Sequence, residues 1–154
     1  MAAFLCDRIL IETDGVKSAI RIVDRVMRNI TSPNPPEQMA PFDYDLTLLV
    51  SLKAGWTHGS YPLRIDVVRP DSDTRTILDH SVFFEGGEER GIDTVVRMMV
   101  RYEYEGVYWF RVLFNGNPLT QIPLRVIYQR RVTPGPGPGP AGSSPPSPGP
   151  QPAP

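Results

Sequence analysis

Apolar and polar residues alternate along most of this chain, and the clearest alternation runs from Glu105 to Val126, EGVYWFRVLFNGNPLTQIPLRV. Tyr108, Phe110, Val112 and Phe114 fall on one side of a strand, because successive side chains point to opposite faces. Ile122, Leu124, Val126 and Tyr128 fall on one side of the next. If both sets face the core, even positions must pair with even positions. A two-residue Asn115-Gly116 turn would instead pair Phe114 with Asn117. The pattern therefore predicts either a three-residue loop, Asn115 to Asn117, or a bulge near Pro118 or Pro123. Pro123 has no N–H to donate, so its strand is expected to be an edge at that point.

The same period recurs upstream. Tyr44, Leu46, Leu48, Val50 and Leu52 form one set, Leu63, Ile65 and Val67 a second, and Val96, Met98, Val100, Tyr102 and Tyr104 a third. Turn signals separate them at Pro33 to Pro36, Ala54-Gly55, Pro70 to Asp73, Gly86-Gly87 and Glu105-Gly106. Between Ile20 and Ile30 the spacing fits a helix and a strand about equally. Asp14-Gly15 just before it is a hairpin turn, so the segment is read as a strand. A short helix fits between Glu88 and Asp93. Short strands at this spacing predict an all-β fold, an antiparallel immunoglobulin-like β-sandwich of about 7–8 strands.

Composition changes after Val132. The segment 133–154 holds ten prolines, five glycines and no charge. It has too little apolar surface to offset the entropy of ordering, so residues 1–132 are expected to form the domain and 133–154 an extended, disordered tail. Pro145 to Pro148 fits P-x-x-P, a match that so proline-rich a segment produces by chance. In the whole chain 16 Lys+Arg face 17 Asp+Glu, which favours neither nucleic acid nor an acidic membrane as partner. No run approaches the roughly 20 apolar residues of a membrane helix. The opening MAAFLCDRILIETD is not a secretory signal, because Asp7 and Arg8 break its apolar run. These features suggest a cytoplasmic protein. Cys6 is the only cysteine, so the fold rests on packing rather than on an internal disulfide.

Candidate chemistry is sparse, and no cofactor motif is present. The odd side of the first hairpin strand carries Val107, Trp109, Arg111 and Leu113, three of them apolar where a solvent face would be polar. Those four residues are the candidate partner-binding surface, with Trp109 as anchor. The competing expectation is that the N-terminal segment or a loop covers them. Asp71 and Asp73, with Asp66 and Asp79 nearby, resemble a calcium-binding loop but are also ordinary turn residues. Trp56, His58 and Tyr61 offer an aromatic carbohydrate- or lipid-contacting surface. His58 and His80 have no metal-ligand spacing with Cys6, and Asp79 and His80, as neighbours on a strand, point apart. Cys6 reads as a small buried residue. The chain is therefore expected to be a non-enzymatic interaction module binding another protein or itself. The alternative is a small-ligand, carbohydrate or calcium-binding sandwich.

One resemblance adds to this. Phe4-Leu-Cys-Asp7, Asp14-Gly15, Pro41-Phe42, Gly106-x-Tyr-x-Phe-x-Val-x-x-Asn-Gly116 and Pro123-Leu-x-Val126 resemble an uncharacterised bacterial family of small β-sandwich proteins, over about residues 3–130. The resemblance implies a fold and no activity.

Overall fold

A computed structural model describes residues 1–133. The expected tail falls on 134–154, outside the described residues. Those described contain nine strands and no helix: β1 (Ala2–Ile11), β2 (Lys17–Ile22), β3 (Arg25–Ser32), β4 (Phe42–Lys53), β5 (Gly59–Val68), β6 (Thr74–Phe84), β7 (Gly91–Tyr102), β8 (Gly106–Phe114) and β9 (Asn117–Val132). They form a four-stranded sheet, β2-β1-β4-β7, and a five-stranded sheet, β3-β9-β8-β5-β6. Every pairing is antiparallel except β3 with β9, which is parallel.

The inner faces carry the expected sets, except that β7 ends at Tyr102 and Tyr104, expected beside it, is exposed in the following turn. Tyr108, Phe110, Val112 and Leu124 are fully buried, and so are Leu63 and Ile65 of the neighbouring β5 and Leu48 and Val50 of β4 in the facing sheet. With β4 beside β7 in one sheet and β9-β8-β5-β6 in the other, the connections make the Greek-key arrangement of an immunoglobulin-like sandwich. Tyr108 adds that fold's tyrosine corner. Its hydroxyl donates to the carbonyl of Tyr104 and accepts from the backbone N–H groups of Glu103 and Tyr104, at 3.2–3.3 Å.

Two expectations needed correction. The segment read as one strand is two, because the chain changes sheet at Val23 and Asp24. Val23 turns inward and is buried, its N–H bonds the carbonyl of Leu5, and the N–H of Arg125 bonds the carbonyl of Asp24 in the other sheet. The sandwich therefore has nine strands. The short helix before Asp93 is absent: the N–H of Arg90 closes a turn on Gly87, and β7 begins at Gly91.

The β8–β9 register chooses between the two hairpin solutions. Phe114 pairs with Asn117 and Leu113 with Pro118 around a two-residue turn, with φ of 49° at Asn115 and 78° at Gly116. A bulge then shifts the register, Val112 pairs with Thr120, and from there even meets even: Phe110 with Ile122 and Tyr108 with Leu124. The bulge lies where Pro118 placed it, and Leu119 is the extra residue. Pro123 pairs with Trp109 on one side, and β3 joins the other side of β9 only from Arg125 onward. The missing N–H thus lies where the strand is an edge.

The N-terminal hairpin lies on the four-stranded sheet. Pairing of β1 with β4 stops at Cys6. Beyond it, Lys17 of β2 reaches Asp93 of β7 at 2.8 Å, although β1 and β4 stand between β2 and β7 in the sheet. The hairpin therefore arches over the outer face. That covers Cys6 and Thr47, which sit opposite each other outside the core and are 0% and 2% exposed.

A candidate partner-binding face

The five-stranded sheet has an outer face as well, and Val107, Trp109, Arg111 and Leu113 all stand on it. None of the three apolar residues joins the core, whereas Tyr108, Phe110 and Val112 between them do. In cross-strand register Trp109 lies between Val68 of β5 and Pro123 of β9. The next row places Asp66, Arg111 and Gln121 side by side, and the next Arg64, Leu113 and Pro118. Leu119, pushed out by the bulge, is exposed, and with Arg111, Leu113 and Gln121 it lines a shallow groove of about 450 Å³. The hairpin expected as a cover packs on the opposite sheet instead. Trp109 is half-buried.

At the centre of the face Asp66 is only 6% exposed although it points away from the core. Arg64 donates to it at 2.8 Å and the Thr76 hydroxyl at 2.7 Å. Burial pushes its carboxyl up, but those two bonds, with the charges of Arg64 and Arg111, outweigh burial and hold it below the ordinary carboxylate range. A buried carboxylate thus holds Arg64 and faces Arg111 across the strands, so the outer face combines an aromatic residue, aliphatic neighbours and guanidinium groups.

The other candidate residues do not converge. Arg69 engages both carboxylates of the acidic turn, binding Asp71 through two nitrogens and lying 3.6 Å from Asp73. It also binds Glu103 at 2.9 Å and covers the Tyr104 ring, so it ties the β5–β6 turn to the β7–β8 turn. Its bond lowers the Asp71 pKa. The acidic turn is thus a clasp made with a cation of the chain itself. Among the described residues, no cluster of three or more His, Cys, Asp or Glu side chains is arranged to hold a metal ion. Trp56 is 90% exposed, while Tyr61 stacks on Phe114 at 5.3 Å and His58 lies edge-on to Phe83. The three do not form one surface. His80 sits on β6 opposite Leu63, and its neighbour Asp79 opposite Arg64 on the other face. Cys6 is buried, as expected. Its thiol lies 3.5 Å from the carbonyl of Thr47, and burial raises its pKa.

The sequence reading missed a second outward-facing apolar row. Phe4, Leu49 and Val95 are aligned across β1, β4 and β7, and none belongs to the core. The signal was there: Phe4-Leu5, Leu48-Leu49-Val50 and Val95-Val96 put apolar residues on both faces of their strands. A sheet with a third layer over it gives that pattern.

No curated protein and no solved structure matches this chain. The family model of DUF6941, a family of unknown function, matches residues 1–127, and the chain belongs to that family.

Proposed function

We propose that this protein is a non-enzymatic interaction module of the cytoplasm, which binds another protein or a second copy of itself through the outer face of its five-stranded sheet. One observation carries the reading: Trp109 stands between Val68 and Pro123 on a face that the N-terminal hairpin leaves uncovered. Tryptophan and arginine are the residues that most often dominate binding energy, and Arg111 is the next residue on Trp109's side of β8. The groups suited to catalysis are engaged elsewhere: Cys6 is buried, Asp71 and Asp73 are held by Arg69, and His58 lies in the β4–β5 loop while His80 is on β6.

The test is retention of partners by the full chain, alongside light scattering, for wild type and for Trp109→Ala and Arg111→Glu. The reading expects binding or self-association that both substitutions weaken while the chain stays folded, with some loss of thermal stability in Arg111→Glu, which sets a second acid against Asp66. A wild-type chain that stays monomeric and retains nothing would remove it. A second reading, carbohydrate or other small-ligand binding, has the 90% exposure of Trp56 in its favour. It requires thermal stabilisation by a ligand that Trp56→Ala abolishes.

A further inference from the structure

The two sheets expose four edge strands, and three of them are blunted. Strand β2 has six residues and carries a positive φ at Arg21. Strand β3 is short, with eight residues. Strand β6 is broken by a register shift where Ile65 meets Asp66 of β5. Strand β7 differs. It has twelve residues, no proline, and a register with β4 that runs without a shift from Gly91 to Tyr102. A long, regular edge presents a row of backbone donors and acceptors to any strand that matches it.

Its side chains select the strand. The outward-facing set is Asp93, Val95, Arg97, Met99 and Arg101, and Met99 is 69% exposed. Arg101 is paired with Asp43 and Glu103, and Asp93, still a third exposed, with Lys17 of the hairpin. Arg97 makes no ion pair among the described residues. Opposed antiparallel to itself about Val95, the strand sets Asp93 against Arg97 of the second copy, and the reverse, with Val95 against Val95. Like charges directly opposite destabilise a pair and opposite charges stabilise it.

We propose that β7 pairs antiparallel with β7 of a second copy, joining two four-stranded sheets into one continuous sheet across a two-fold axis. The site is distinct from the Trp109 face and rests on the interaction-module reading only in that both concern association. A two-fold pairing satisfies both edges at once, so it closes at the dimer.

Light scattering of the full chain over a concentration series, with circular dichroism to establish folding, is the test. The expected result is a dimer whose dissociation constant rises by about tenfold or more in Arg97→Asp, and recovers when Asp93→Arg is added. Trp109→Ala is expected to leave it unchanged. A single cysteine at Val95 should form an oxidised dimer, and one at Asn117, beside the β8–β9 turn, should not. A monomer at all concentrations overturns the proposal and leaves binding of another protein at Trp109 standing. A dimer broken by Trp109→Ala but not by Arg97→Asp also overturns it, moving self-association to the other face.

Discussion

Trp109 and Phe110 are consecutive in β8 and belong to different environments: Phe110 is fully buried between the sheets, and Trp109 stands outside them between Val68 and Pro123. Phe110→Ala is expected to cost about 3–5 kcal/mol in urea unfolding, through lost burial and the cavity left behind. Trp109→Ala removes no core contact and should cost no more than about 1 kcal/mol. Equal large losses would show that a second layer covers Trp109.

The tyrosine corner should be sensitive to one atom. Tyr108→Phe keeps the ring and removes the hydroxyl that serves Glu103 and Tyr104. The orphaned backbone groups predict a loss of about 1–3 kcal/mol. Thermal unfolding measures it, and a change near zero would make the corner incidental.

Asp66 gives a pH dependence with a definite sign. Its folded pKa lies below the ordinary value, despite burial, because Arg64 and Thr76 bond the charged form. The stabilisation is therefore complete above the unfolded pKa, about 3.9, and is lost as pH falls through the lower folded value. Asp66→Asn should be less stable than wild type near neutral pH, and the difference should shrink below about pH 4. Urea midpoints across that range test this. A gap that widens in acid would reverse the assignment.

The Lys17–Asp93 pair fixes the hairpin more than the fold. Both side chains are partly exposed, so Lys17→Ala should lower global stability by about 1 kcal/mol or less. Amide exchange between Arg8 and Ile20 should nevertheless quicken, because the pair is the contact that ties the hairpin tip to β7. Unchanged exchange there would mean that packing alone holds the hairpin down.

Much of this was legible in the sequence where one rule acted alone. Period-two alternation located β4, β5, β7, β8 and β9 and their inner faces, and the prolines of β9 pointed to the bulge and the edge. The readings diverged where tertiary context intervened. Residues 17–32 showed mixed periods because the chain leaves one sheet and enters the other within two residues, so neither face is continuous. Phe4, Leu49 and Val95 broke the alternation because a third layer lies over them. The Asp71 and Asp73 turn suggested a metal site because nothing local shows that Arg69, just before it, is their partner. That Val107, Trp109 and Leu113 face outward followed from a simpler fact: they stood on the side of β8 that the core did not need.

The parallel pairing of β3 with β9 has a consequence for how the chain assembles. Each residue of β3 meets one a hundred positions further along, from Arg25 with Arg125 to Ser32 with Val132. No hairpin leads to this contact, and the entropy of closing so long a loop must be met before the ladder returns anything. During synthesis β3 emerges early and waits, its edge open, until nearly the whole domain has followed. Slow closure of this seam, rather than formation of the β8–β9 hairpin, is then the step at which nascent chains are most open to pairing with one another.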